Sequence, residues 1–402
     1  MNALFYNHTG RASGAEKVLL LALEHLDRTV VHSRVVCPPG DLFRSVEGLD
    51  ISVGYIGELN ARLTLWPHKL AWYAVSLFRT VLGLRGEVKR ADVDVIHANS
   101  PRSGIAALFA TAGMRLPVVW HVHDEFNSHP ITSLIRYLVG SSSRCTVIAV
   151  SEATAKSFAG DSAKLKERIQ VIHNAVDVDG IEKKKATRSI RQELGLGSDD
   201  FLFGIVGQIT PRKGQLELVK AFCAIASDMP AARLLVIGSP MFEHDNTYHE
   251  EVLRQADRLI LQKRIYFLGH RTDAVDIIKQ LDTLIINSKS EAFVMVGIEA
   301  MACGTAVIAT NVGGTREMIE DGQNGILVPA EDKPALTGAL TKIYADKNLR
   351  ELFVSRSREK VKMEFNVSQF AKSLQNLLLT ACSARADNAP ILDRPLDPIN
   401  NR

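Results

Sequence analysis

Few things in this 402-residue chain are present in excess, and the shortages narrow the choices. Cysteine is scarce: Cys37, Cys145, Cys223, Cys303 and Cys382 are odd in number and never spaced as CxxC. That scatter speaks against a disulfide framework or a thiolate zinc site and fits reduced thiols. Neither sign of charge dominates, since 48 Lys and Arg face 45 Asp and Glu for a net +3. A nucleic-acid binder would show a strong basic excess, so no nucleic-acid partner is expected. Long apolar runs are missing too. A membrane-spanning helix needs about 20 mainly apolar residues, yet the longest uncharged stretch, 300–315, is broken by Gly304, Asn311, Gly313 and Gly314. The opening residues, MNALFYNHTGRASGAEK, lack a basic segment followed by an apolar one, so no secretory signal is read there. The expectation is a cytoplasmic protein, soluble or at most peripheral on the inner face of the membrane.

What the chain does contain is alternation. Short β-rich apolar runs alternate with longer helical patterns, the signature of parallel sheets with crossover helices. Strands are predicted at 3–6, 30–37, 94–97, 117–121, 146–150 and 170–173, with helical leucine spacing at 16–26. A second series follows at 201–206, 233–237, 265–268, 283–286, 306–309 and 325–328. Two such series predict two Rossmann-like α/β domains joined by the charged segment IEKKKATRSIRQELGLGSDD. The boundaries expected are 1–177, completed by a C-terminal helix at 366–382, and 178–365. A polar, Pro-bearing tail at 383–402 is expected to be disordered. Ligands of such sheets bind beyond the carboxyl ends of the strands, so the site is sought in the loops there and in a cleft between the domains.

Glu291 and Glu299 stand out in EAFVMVGIEAMACG, a loop and helix that follow the strand at 283–286. Ionised carboxylates suit vicinal hydroxyls, because each accepts several hydrogen bonds. N–H groups at the helix start suit a diphosphate. A surface carboxylate at 291 and a macrodipole-favoured charge at 299 account for the same pattern.

The stretch NSKSEAFVMVGIEAMACGTAVIATNVGGTREMIEDGQNGILV resembles the signature region of glycosyltransferase family 4, a retaining family with the GT-B fold. The ordered features are the two glutamates separated by seven residues, EAMA-x-G, Gly313-Gly314 with Glu317, and Asp321-Gly322-Gln323-Asn324-Gly325. The similarity runs to about residue 380. VGQITPRKGQLELVKAF resembles the family's phosphate loop, the Gly10–Glu16 segment its N-terminal Gly-rich loop, and WHVHDEF its strand-end His-Asp.

The resemblance implies a metal-independent, retaining transfer from a nucleotide-sugar donor to a glycan or lipid-linked acceptor, with no cofactor. It assigns Glu299 to the ribose and Glu291 and His123 to the transferred sugar. Lys213, with Gln208 or Arg212, would hold the diphosphate, and Gly207 and Gly14 would lie against the ligand. Gly269 and His270 would lie near the base, with Val294, Met295 and Val296 lining the donor site. Gln208 departs from the family's usual Arg, Val294 and Val296 from its Gly and Pro, and Ala175 from its Gly, so Ala175 must avoid positive φ.

Other readings remain at this level. A metal-dependent transferase would use a DxD string, and Asp92-Val93-Asp94 and Asp177-Val178-Asp179 both match. A nucleotide-sugar epimerase shares the architecture, and a non-catalytic subunit could retain the fold. Finally, residues 62–90 carry Arg62, Lys69, Arg79, Arg85, Lys89 and Arg90 against Glu87, interleaved with Trp66, Trp72, Tyr73 and Phe78. That pattern suits a helix lying in an anionic membrane interface; it equally suits a crossover helix with aromatic core residues.

Overall fold

A computed structural model describes residues 1–11, 13–59, 67–126, 130–184, 186 and 188–387. The chain divides into two compact units, Met1–Asn174 with the segment from Val367 onward, and Ala175–Asn366. Residues 175–177, read from the sequence as the end of the first domain, belong to the second. The reason is local: Val176 pairs with Asn366 in a parallel bridge, and its N–H donates to the Phe365 carbonyl.

The first unit holds strands β1 (Asn2–Tyr6), β2 (His32–Cys37), β3 (Ser52–Tyr55), β4 (Val95–Ala98), β5 (Val118–Val122), β6 (Cys145–Ala149) and β7 (Ile169–Val171). They form one parallel sheet in the order β3-β2-β1-β4-β5-β6-β7. Strand β5 is buried at every position, as expected when helices cover both faces of a parallel sheet. Leu4, Tyr6, Ile96, Val118, Trp120 and Val147 lie in its core.

The second unit holds β8 (Phe201–Val206), β9 (Ala232–Ile237), β10 (Ile265–Gly269), β11 (Thr283–Ile286), β12 (Ala306–Thr310) and β13 (Ile326–Val328). Their order is β10-β9-β8-β11-β12-β13, again parallel. In both sheets the order reverses beside the first strand, between β1 and β4 and between β8 and β11. These switch points open crevices at the strand ends, and the loops after β8 and β11, which carry Lys213 and Glu291, flank the second of them.

Strand β3 is absent from the sequence reading. SVGY lies at a sheet edge with only its glycine buried, so no apolar run marks it. The C-terminal helix Val367–Asp387 runs past residue 382, where the disordered tail was set to begin. Ser-Ala-Arg-Ala-Asp at 383–387 contains good helix formers and no proline, so nothing in it stops the helix. The rest of the expected tail, 388–402, lies outside the described residues.

Candidate functional site

In the second unit the chain leaves β8 through Gly207 and Gln208, makes a 3₁₀ turn at Pro211–Lys213, and enters the helix Gln215–Ile225. Gly214 joins the two with φ of +68°, and a Cβ there would sit 2.1 Å from the Asn287 carbonyl oxygen. Only glycine fits, and Asn287 Nδ2 donates to the Gly214 carbonyl at 2.8 Å. This contact fastens the loop after β8 to the loop after β11.

The same two loops bring Glu291 to the basic pair. Glu291 is 6% exposed. Its carboxylate takes the Lys213 ammonium on Oε1 and the Arg212 guanidinium on Oε2 at 3.2 Å, and Ser288 Oγ donates to it at 2.6 Å. The Gly314 N–H donates to the Glu291 carbonyl at 3.1 Å, tying the paired-glycine loop to the same place. A buried carboxylate therefore holds two cations beside the switch point between β8 and β11.

Glu299 lies in the second turn of the helix Met295–Cys303, whose first turn has no acidic residue. Its place is therefore not the helix-start position that the macrodipole favours most. Val294 is the N-cap and has no side-chain oxygen to offer, so the first N–H groups of this helix gain no side-chain cap from it. Met295 and Val296 are half-buried, while Gly269 (φ +65°) and His270 are exposed at the end of β10.

Gln208 behaves differently from the expectation of a diphosphate ligand. Its side-chain nitrogen donates to Asp245 Oδ2 at 2.8 Å, in the helix Glu243–Leu261. The turn Asp321–Gly325 is likewise structural: Asn324 accepts from the Glu320 N–H at 2.7 Å and donates to the Met318 carbonyl. Asp245, Asn287 and Ser288 were not read from the sequence. The polar pair Asn287-Ser288 directly after an apolar strand was the available signal.

In the first unit His123 follows β5, and its Nε2 lies 3.2 Å from Asn99 Oδ1 in the loop after β4. The His121 ring stacks on it at 4.0 Å between centroids, and His121 Nδ1 meets His97 Nε2 at 3.2 Å. Burial holds His97 and His123 down to about 3 and His121 well below its usual value, so all three rings are neutral at pH 7. His8 beside Ser100 is lowered to about 4 by burial and the Arg102 charge. Gly14 opens the helix Gly14–His25 after its N-cap Ser13, and a Cβ there would meet nothing within 4 Å. Packing within the protein does not require glycine at that position.

The DxD strings serve the fold. Asp94 accepts from the Asn2 N–H at 2.8 Å before β4, at the opposite end of the strand from Asn99. Asp177 caps the helix Val178–Lys183 through the Gly180 N–H. Ala175, replacing the family's glycine, is not among the non-glycine residues with positive φ.

Residues 12–179 match Glycosyltransferase Family 4 and residues 186–360 match Glycosyl transferases group 1. The UDP-Gal:alpha-D-GlcNAc-diphosphoundecaprenol alpha-1,3-galactosyltransferase of Escherichia coli is 24% identical over 381 residues, 91% of this chain and 94% of that one. The N-acetyl-alpha-D-glucosaminyl L-malate synthase of Bacillus anthracis is 25% identical over 297 residues, 72% and 75% of the two chains. Among solved structures, Anabaena HepE in complex with UDP superposes with a TM-score of 0.78 at 26% identity, covering 94% of this chain and all of that one. Two parallel α/β units with these signatures are a GT-B fold, and the chain is a glycosyltransferase belonging to family 4.

Proposed function

We propose that this enzyme moves a sugar from a nucleoside diphosphate sugar to a glycan or lipid-linked acceptor, with retention and without a metal. The observation that carries the proposal is the pairing of Lys213 and Arg212 on buried Glu291 beside the uncapped start of the helix Met295–Cys303. A diphosphate entering here would take the two cations and the helix N–H groups. The leaving group would then be neutralised by fixed charges already in place. Glu291, released from its partners, accepts hydroxyls of the sugar, and Glu299 accepts those of the ribose. By the same reading His123 contacts the transferred sugar, while Gly14 gives the acceptor and phosphates an open backbone. Gly207 and Gly269-His270 border the phosphate and the base, with Val294, Met295 and Val296 between the glutamates. Support for the donor comes from HepE, solved with UDP and with UDP-glucose, and for a lipid-linked acceptor from the E. coli relative.

The test is a donor screen by thermal shift with UDP-, GDP- and ADP-sugars, followed by product analysis with the stabilising donor. Anomeric retention is read directly from the product. Lys213→Ala is expected to lower turnover on the order of 10²-fold, the scale for removing one preorganised stabiliser of a developing anion. Activity is expected to persist in EDTA; a strict Mg²⁺ or Mn²⁺ requirement would overturn the metal-free reading.

The acceptor side extends the proposal to a reversible contact with an anionic membrane through the helix Pro67–Arg90. Tyr73, Leu77 and Val81 turn toward the core, with Leu84 and Val88 fully in it. Trp72, Val75, Phe78 and Leu82 form an exposed stripe on another face, Trp72 being 74% and Phe78 63% exposed. The covered face fits a crossover helix with core residues, and the exposed apolar stripe supports the interfacial reading. Its basic set is smaller than the sequence count: Arg85 is held by the Ala110 and Ala112 carbonyls, and Arg90 pairs with Glu87. Arg79 and Lys89 are exposed, while Arg62 and Trp66 lie outside the described residues. No described helix is long and apolar enough to cross a membrane.

A further inference from the structure

Three side chains that the sequence reading did not single out for the reaction form a directional hydrogen-bonded chain behind His123. Asn7, after β1, and Asn99, after β4, are both fully buried, and Glu16 in the first helix is 4% exposed. Asn7 Nδ2 lies 2.7 Å from the Thr9 carbonyl oxygen and 3.1 Å from Glu16 Oε1. Both of these atoms only accept, so the amide nitrogen of Asn7 must face them and its oxygen must face the other way. That oxygen meets Asn99 Nδ2 at 3.3 Å, and the same nitrogen reaches the Ala15 carbonyl at 3.3 Å. A backbone carbonyl again accepts only, which fixes the orientation of Asn99. Asn99 Oδ1 is thereby left facing His123 Nε2 at 3.2 Å.

An amide oxygen cannot donate, so the His123 nitrogen opposite it must carry the proton. A neutral imidazole has one N–H, and the other ring nitrogen is then an acceptor. The far end of the chain is anchored as well. Glu16 takes the Ser13 N–H on Oε2 at 3.0 Å, together with the Ser13 hydroxyl, at the start of the Gly-rich loop's helix. Burial makes each link costly to break, since an unmet buried polar group costs about 1–3 kcal/mol.

We propose that Asn99, oriented by Asn7 and Glu16, is a positioning residue that holds His123 in its Nε2–H tautomer and presents Nδ1 as acceptor to a hydroxyl of the transferred sugar. This rests on the placement of His123 at the sugar, proposed above. The chain also couples the ring to the Gly10–Glu16 segment, so the two first-unit elements assigned to the donor share one set of hydrogen bonds. The other titratable groups about the ring are His121, stacked on it, His97 beyond that, and His8 in the loop after β1. Burial keeps the three rings of the stack neutral, as the tautomer argument requires.

The test is a long-range ¹H–¹⁵N correlation spectrum of the full-length protein labelled with ¹⁵N-histidine, the His123 signals being assigned by their loss in His123→Gln. The expected result in the unmodified protein is a single N–H at Nε2 from pH 6 to pH 8. A proton on Nδ1 would overturn the inference without any variant being made. Asn99→Ala is expected to give a tautomer mixture and to lower kcat roughly 10- to 100-fold with little change in KM for the donor. Asn99→Asp still offers Nε2 an acceptor but sets its second oxygen against the Asn7 oxygen and the Ala15 carbonyl, so it is expected to keep the tautomer and raise the ring's titration while restoring only part of kcat. An unchanged tautomer and unchanged kcat in Asn99→Ala would also overturn it. If the tautomer behaves as expected but His123→Ala and Asn99→Ala both retain full kcat, the relay stands and the placement of His123 at the sugar fails.

Discussion

Glu291 gathers Lys213, Arg212 and Ser288 on one carboxylate and the Gly313-Gly314 loop on its backbone. Glu299, one turn into its helix, has a separate task in the proposed reaction. The two should therefore fail differently. Glu299→Gln is expected to weaken nucleotide binding, because a charged bidentate acceptor becomes a mixed amide, with titration calorimetry as the measurement. Glu291→Gln is expected to lower kcat more than it raises KM; full activity in both variants would exclude the assignment. The histidine stack makes a different statement, about stability. An unfolded imidazole titrates near 6.5, whereas burial holds His97 and His123 to about 3 and His121 well below its usual value. Between those limits the unfolded chain binds protons that the native state refuses. This stability is complete above roughly pH 7 and is lost as pH falls from 6.5 toward 3. The urea midpoint should drop between pH 7 and pH 4, and less steeply in His121→Phe, which removes one such group. An identical slope in the variant would show that the stack does not control it.

At the scale of elements, the helix Pro67–Arg90 carries core residues on one face and an exposed apolar stripe on another. An isolated exposed apolar residue is ordinary, but Trp72, Val75, Phe78 and Leu82 at spacings of three and four residues make a continuous strip. Cosedimentation with vesicles of anionic lipid measures its use. Binding is expected at low ionic strength and should weaken with salt. It should fall further in the triple variant Trp72→Ser, Phe78→Ser, Arg79→Glu, each basic residue near such a surface contributing about 1 kcal/mol. Absence of binding by the unmodified protein at low salt would leave a soluble acceptor. The same helix was legible from its composition, but which aromatics face inward was not. Tyr73 and Trp72 are neighbours in the chain, and only the position of the sheet decides which is covered.

For the whole molecule, the returning C-terminal helix Val367–Asp387 is the long-range feature with the largest consequence. It packs on the helix Gly14–His25 and on β4 and β5, burying Phe370, Leu374, Leu377 and Leu378. At about 1.5–3 kcal/mol for each large apolar side chain, those four contribute roughly 6–12 kcal/mol. That is comparable to the full stability of a typical domain, about 5–15 kcal/mol. Deleting the chain from Val367 onward should leave the first unit unable to fold, read as aggregation or loss of its near-UV circular dichroism. A soluble truncated protein with the native near-UV spectrum would show that the helix is dispensable.

The pattern of apolar runs determined by itself that the chain makes parallel α/β sheets, because a strand buried on both faces must be apolar throughout. Twelve of the strands were read from such runs to within two residues at either end; short, edge-lying β3 was not. The ordered signatures between 287 and 328 pointed to the family, several of them meeting a specific local demand, as Asn287, Glu291 and Asn324 do. Tertiary structure alone decided which polar residues act together. Gln208 looked like a phosphate ligand by position, yet Asp245, 37 residues away, claims its amide. Asn99 belongs to none of the sequence signatures, yet Asn7, 92 residues earlier, fixes which of its atoms faces His123. Hydrogen bonds of that kind depend on which strands lie side by side, and sequence separation carries no trace of β1 meeting β4.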